Sequence, residues 1–191
     1  MSQPQQTDYT IWENRSVAQS FLEGVRGAIP LAIPQIDCLL RIIHLTQSCV
    51  ESFLDLGCGN GILGKAISQQ YPQAKGTFID LSPSMLEAAR NSIDNYQKNH
   101  TFILQDFGLS TWKNCLEDRQ SFDVIVSGFA IHHQPDDRKQ EIYQEIYNLL
   151  APGEIFLNLE HVASHSAIGE KAFDQLFVDA LYNYHAQQNS N

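Results

Sequence analysis

At 191 residues the chain suits one domain, or one domain with a short extension, and it is long enough to bury a core without disulfides or structural metals. Apolar residues make up 43% and charged residues 18%, which argues against a mainly disordered chain, and no stretch approaches the ~20 apolar residues of a membrane span. Twelve Lys and Arg against 22 Asp and Glu leave a formal charge of −10 with no basic cluster, so a phosphate backbone is a disfavoured partner.

The opening stretch MSQPQQTDYT has no signal-peptide pattern. Cys38, Cys49, Cys58 and Cys115 form no C-x-x-C pair and have no His at zinc-like spacing. That pattern argues against a disulfide framework or a metal site, and for a reducing, cytoplasmic setting.

In chain order, residues 1–8 are polar. From Tyr9 to residue 27, Ile11, Val17, Phe21, Leu22 and Val25 fall at loosely helical spacing. Ala28-Ile29-Pro30-Leu31-Ala32-Ile33-Pro34 then breaks any helix twice. Ile36, Leu39, Leu40 and Ile43 form one stripe and predict a helix over 35–46. Ser52-Phe53-Leu54-Asp55-Leu56 reads as a buried strand, followed by a helix over 62–71 that Pro72 stops. Gly76-Thr77-Phe78-Ile79-Asp80 is a second strand. Ser82-Pro83 offers an N-cap and an N1 proline to a helix reaching residue 97. Strands follow at 101–104, 122–127 and 154–159. A helix over 137–150, ended by Pro152-Gly153, lies between the last two. The final helix, over 166–184, puts Phe173, Leu176, Phe177, Ala180, Leu181 and Tyr184 on one face, and a polar tail follows it. Strands alternating with helices predict βαβ units, hence an α/β fold with a parallel sheet covered on both faces.

In such a sheet, ligands bind beyond the carboxyl ends of the strands. Gly57, Gly59 and Gly61 follow the first strand, where glycine lets the backbone approach a ligand closely. Asp80 ends the second strand, placed to accept hydrogen bonds from ribose hydroxyls. Asp106-Phe107 follows the third, a carboxylate for an exocyclic amine beside a ring that can cover a base. Both NAD and S-adenosylmethionine carry an adenosine. The G-x-G-x-x-G spacing that seats a pyrophosphate is absent, because position 62 is Ile. Asp55, just before the loop, suits a ligand bearing an ammonium and a sulfonium.

These segments resemble those of class I S-adenosylmethionine-dependent methyltransferases. Phe53-Leu54-Asp55-Leu56-Gly57-Cys58-Gly59-Asn60-Gly61 looks like the family's first motif and Ile79-Asp80-Leu81-Ser82-Pro83-Ser84-Met85-Leu86 like its second. Gln105-Asp106-Phe107 resembles the third, Phe122-Asp123-Val124-Ile125-Val126-Ser127 the fourth, and Leu149-Leu150-Ala151-Pro152-Gly153-Glu154 the turn before strand five. The resemblance implies a doubly wound, Rossmann-like parallel sheet. It implies that Asp55, Gly57, Cys58, Gly59 and Gly61 hold the methionine moiety of S-adenosylmethionine. Asp80 would then grip the ribose, Leu81 and Met85 would flank the adenine, Asp106 and Phe107 would meet its amine and ring, and Ser127 with the following Gly128-Phe129-Ala130 would line the cleft near the methyl.

Methyl transfer needs a base only if the nucleophile must first lose a proton. His132 and His133, directly after strand four, are the candidates, and a structural hydrogen bond to a neighbouring loop is the alternative role. Glu160 and His161 stand similarly after strand five. Tyr9, Trp12, Arg26 and residues 28–34 read as a lid. The organisation is thus a cap at 1–34, a cofactor-binding core at 35–160, and a helix with a polar tail at 161–191.

The family's sheet has seven strands, and the sequence leaves no room for the C-terminal antiparallel hairpin. Strand five should then be an edge, completed by a homodimer or a partner chain. The expectation is transfer of a methyl group to a small-molecule acceptor, with S-adenosylhomocysteine as product. Two alternatives are a synthase of a carboxylated S-adenosylmethionine, for which only Arg26 offers a cation, and a non-catalytic cofactor-binding fragment or subunit of a split enzyme.

Overall fold

The computed structural model describes residues 9–20, 29–93, 99–116 and 121–188. A 3-10 turn at Tyr9–Glu13 leads into α1 (Arg15–Ser20). Then follow α2 (Ala32–Thr46), β1 (Ser52–Leu56), α3 (Ile62–Gln70), β2 (Lys75–Asp80), α4 (Pro83–Ser92) and β3 (His100–Leu104). The chain continues through 3-10 turns at Trp112–Leu116 and Ile131–His133, which flank β4 (Phe122–Gly128). It then forms α5 (Asp136–Leu149), β5 (Leu150–Leu159) and α6 (Ala167–Gln188).

The five strands form one sheet in the order β3-β2-β1-β4-β5, and every pairing is parallel. Strand alternation sends successive side chains to opposite faces. Phe53, Phe78, Val124 and Val126 pack with Leu39 and Ile43 of α2 and Leu63 and Ile67 of α3. Leu54, Leu56, Ile79 and Ile125 pack on the other face with Trp112 and with Ile142, Ile146 and Leu149 of α5. The fold is therefore the α/β, doubly wound, Rossmann-like one. β5 lies at the sheet's edge, and no antiparallel strand joins it among the described residues. No helix among them is long and apolar enough to cross a membrane.

Two boundaries differ from the sequence reading. α2 begins at Ala32 and takes Pro34 into its first turn. Proline is tolerated there, because the N–H it lacks would have no intrahelical partner. The Pro152-Gly153 pair does not end α5 before a separate strand. β5 starts at Leu150, paired with Phe122, and the register then jumps to Ile155 opposite Val124. The pair forms a bulge within β5, with Gly153 at φ 91°, a conformation that L side chains rarely adopt.

The end of the sheet remote from the ligand side carries a buried hydrogen-bond chain. Ser68 Oγ donates to the Gly64 carbonyl at 2.8 Å, so it accepts from His100 Nε2 at 3.0 Å, while His100 Nδ1 accepts the Gly76 N–H at 3.0 Å. Both imidazole nitrogens are committed to the neutral form, and burial lowers the His100 pKa from the ordinary 6.5. Below pH 6.5 the unfolded chain therefore binds this proton before the folded one. Stability should be fully present above that pH and fall as the pH drops through the lowered folded value. Urea unfolding at pH 7.5 and 5.5 reads this. His100→Asn, which keeps an acceptor but cannot titrate, should reduce the difference, and an unchanged slope would remove His100 as a source of it.

Candidate active site

A cavity of about 980 Å³ opens at the carboxyl ends of the strands. Six of the sequence-predicted cofactor residues line it: Gly57, Gly59, Asp80, Leu81, Met85 and Phe107. Gly57 has φ 68°, and a Cβ there would collide with Ala130 and crowd the Phe107 ring, so the loop approaches its neighbours as only glycine can. Asp80, at the end of β2, accepts the Gly59 N–H on Oδ2 and the Ser82 N–H on Oδ1, each at 2.8 Å. Burial pushes its carboxyl above the usual carboxylate range, and backbone N–H groups of Ser82, Gly59 and Leu81 pull the other way. Each oxygen accepts one of these two 2.8 Å bonds, so acceptor capacity remains for ligand hydroxyls. Met85 and Phe107, each 3% exposed, supply apolar walls.

Five expected cofactor residues do not line the cavity. Asp55 shares strand parity with Phe53, so it points under α3, where its Oδ2 accepts the Gly64 N–H at 2.8 Å in that helix's first turn. Gly64 is itself required there, since a Cβ would strike the Phe78 ring. Cys58 is buried and its N–H bonds the Ile79 carbonyl at 2.9 Å, tying the loop to β2. Gly61 starts α3 at φ 76° and faces Ala89 and Ile93 of the α4 segment. Asp106 Oδ1 accepts the Gly108 N–H at 2.7 Å, shaping its own turn. Ser127 is fully buried, and its hydroxyl donates to the Leu56 carbonyl at 2.8 Å, joining β4 to β1 rather than facing a ligand.

His132, His133 and Glu160 lie on the cavity wall. His132 Nδ1 stands 2.6 Å from Glu160 Oε2, while Glu160 Oε1 accepts the N–H groups of Ile131 at 2.9 Å and His132 at 3.2 Å. The carboxylate thus caps the 3-10 turn and fixes one imidazole nitrogen as donor, leaving Nε2 as an acceptor. The His133 ring lies 3.9 Å from that of His132, centroid to centroid. Burial, with repulsion from His132 next, lowers the His133 pKa from 6.5 to about 4, so it is neutral at neutral pH.

Sequence reasoning missed three polar residues of this site. Gln35, Gln134 and Asn158 line the cavity, and Gln134 and Asn158 each hold a buried amide oxygen without a donor among the described residues. Leu31, within the expected lid, and Phe129, within the expected cleft wall, both border the cavity and are the two non-glycine residues with positive φ (58° and 54°) among those described. Strained backbone of this kind concentrates at ligand sites. Ile29 and Pro30 also line the cavity; Arg26 and the side chains of Tyr9 and Trp12 lie outside the described residues. Arg138 holds the Phe107 loop from behind. Its guanidinium donates to the carbonyls of Phe107 (3.0 Å), Gly108 (2.9 Å) and Leu109 (3.2 Å) and pairs with Glu145 at 2.8 Å. Trp112 Nε1 donates to the same Glu145 at 2.6 Å.

No group of three or more His, Cys, Asp and Glu that could hold a metal occurs among the described residues. The lining fits an adenosine-bearing ligand: a glycine-built approach, a buried carboxylate with spare acceptor capacity, and apolar walls from Leu81, Met85 and Phe107.

Comparisons with known proteins agree with this layout. The methyltransferase domain family matches residues 53–153. A ubiquinone biosynthesis O-methyltransferase of Coxiella burnetii is 31% identical over 117 residues, covering 60% of this chain and 46% of that protein. A trans-aconitate 2-methyltransferase of Escherichia coli is 26% identical over 161 residues, covering 80% and 58%. The chain thus spans about half the length of the relatives it matches. Among solved structures, an O-methyltransferase family protein of Burkholderia thailandensis superposes with a TM-score of 0.68 at 17% identity, over 90% of this chain and 51% of that one. The motif loops at the ends of β1, β2 and β3, the strand order and the matched span lead to one assignment: the chain belongs to the class I S-adenosylmethionine-dependent methyltransferase family.

Proposed function

We propose that the protein transfers a methyl group from S-adenosylmethionine to a hydroxyl of a small molecule. The observation that carries this reading is the Glu160–His132 pair on the wall of the cavity that Asp80, Gly57 and Gly59 also line. S-adenosylmethionine, when bound, supplies a methyl group already activated on a sulfonium. Asp80 accepts from its ribose hydroxyls, the 57–59 backbone borders its chain, and Leu81, Met85 and Phe107 enclose its base. A hydroxyl is a poor nucleophile until its proton leaves. His132 Nε2 takes that proton, and Glu160 stabilises the resulting imidazolium across the 2.6 Å contact. The apolar walls exclude water from the transfer.

The cavity lining gives the carboxylated-cofactor alternative no support, since it contains no Lys or Arg among the described residues. The strand-five edge remains the surface where a second copy or a completing chain would add to the sheet.

Calorimetry with S-adenosylhomocysteine tests the cofactor half of the proposal. Asp80→Ala should weaken binding by about 10–100-fold, the loss of hydroxyl hydrogen bonds worth roughly 1–3 kcal/mol. Because the Asp80 carboxyl titrates above the ordinary carboxylate range, wild-type affinity should also fall as the pH is lowered through that raised value. Binding that is equally tight in the variant would contradict the placement.

A further inference from the structure

We infer that the methyl acceptor is an uncharged, largely apolar ring compound seated against α6, with Phe173 and Phe177 deciding which rings fit. This rests on the transferase reading of the same cavity. The cavity is built from two halves. Gly57, Gly59, Asp80, Leu81, Met85 and Phe107 come from the end of β2, the loops after β1, β2 and β3, and the first turn of α4. His132 and Glu160 follow β4 and β5, on the other side of β1 in the sheet, and α6 adds Phe173, Leu176 and Phe177 to the lining. Ligand pockets run from roughly 300 to 1,000 Å³. At about 980 Å³ this one has room for a second molecule beside a cofactor.

Charge decides what that molecule can be. The described lining offers no Lys or Arg, while Asp80, Glu160 and Asp174 contribute carboxylates. An anionic acceptor would lose its water and meet no Lys or Arg among the described lining residues. A cationic one would find, among the carboxylates of the described lining, only Asp174, exposed to water on α6, outside the hydrogen bonds described above. Glu160 already holds His132 and two backbone N–H groups, and Asp80 holds two more. On the α6 side the lining is aromatic and aliphatic, and it is wet in the free protein: Phe173 is 56%, Leu176 48% and Phe177 38% exposed. A flat apolar ring would cover this surface while presenting one hydroxyl to His132, whereas a polyol would press unpaired hydroxyls against it.

Three probes sharing one ring system test the inference: 1-naphthol, 1-naphthoate and 1-naphthylmethylammonium. Their binding is measured by calorimetry at pH 7.5 with and without S-adenosylhomocysteine. Naphthol should bind at least about tenfold more tightly than either charged probe. Phe177→Ala should weaken naphthol by about tenfold, the loss expected for a buried ring, and leave S-adenosylhomocysteine affinity unchanged. Ile168→Ala, on the same helix but 84% exposed and outside the lining, should change neither. A charged probe binding as well as naphthol, or naphthol affinity indifferent to Phe177, overturns the inference. S-adenosylhomocysteine binding without naphthol binding defeats this inference alone. Naphthol selectivity without any S-adenosylhomocysteine binding defeats the transferase reading and leaves an apolar ring subsite with no methyl donor.

Discussion

Replacing His132 with Gln lowers kcat by roughly 10²–10⁴-fold, the usual contribution of a positioned base, and leaves S-adenosylhomocysteine affinity unchanged. Glu160→Gln costs nearly as much, although it never meets the acceptor. An amide nitrogen at the Oε2 position would donate towards His132 Nδ1, drive the proton onto Nε2, and leave no base facing the acceptor. The double variant should be no slower than the worse single one, because the two residues act as a unit. Product formation by mass spectrometry and affinity by calorimetry separate this from a structural role, which would lower the melting temperature and cofactor affinity together. His133 behaves differently. Its folded pKa of about 4, against an ordinary 6.5, keeps it neutral across an assay from pH 6 to 9, so His133→Gln should not shift the acid limb of the rate profile. Its effect is on stability. The unfolded chain takes up this proton first, so the His133 contribution is whole above pH 6.5 and is lost as the pH falls through about 4.

Much of the sheet could be read from the residues, because each strand pattern was followed by a loop whose composition marks a strand end. The two acids Asp55 and Asp80 show where that reading stops. Both precede or end a motif, and both suit a polar ligand. Parity does not separate them, since Asp55 lies on the face of Phe53 and Asp80 on that of Phe78; position does, because Asp55 stands one residue inside its strand with its carboxylate on the Gly64 N–H under α3, whereas Asp80 closes its strand and reaches the cavity. Ser127 fails for a similar reason, its hydroxyl being taken by the Leu56 carbonyl across the strand pair. Glu160 reads in the sequence as a further base candidate beside His161, not as the partner of His132. Its link to His132 spans 28 positions and depends on β4 lying beside β5, which no local pattern encodes. The last helix was legible as an apolar stripe, but what the stripe faces is set by the loop from β5 that returns it to the strand ends. Arg138 was invisible altogether. With Glu141 and Glu145 at helical spacing it looks like a solvated charge cluster, a pattern ordinarily of small consequence.

Arg138→Met should nevertheless destabilise the protein by about 3–5 kcal/mol, the cost of removing one partner of a buried ion pair. Arg138 is 9% exposed, and Met preserves much of its length while removing every donor. Three loop carbonyls then lose their N–H, and the Glu145 side chain, 12% exposed, keeps only the Trp112 indole as a short-range partner among the bonds described above. For a chain of this size that loss corresponds to a fall in melting temperature of roughly 6–20 °C. The consequence reaches the site, because those carbonyls belong to Phe107, Gly108 and Leu109, and Phe107 walls the cavity. Cofactor affinity should therefore fall alongside stability. Adding Glu145→Leu to Arg138→Met separates the two effects. Removing the orphaned carboxylate recovers part of the stability, since an apolar pair in place of a buried ion pair is often close to neutral. The Phe107 and Gly108 carbonyls stay without the guanidinium, and Leu109 keeps only the Trp112 N–H, so affinity for S-adenosylhomocysteine remains weakened. If affinity returned in step with melting temperature, Arg138 would be holding the helix rather than the wall of the cofactor site.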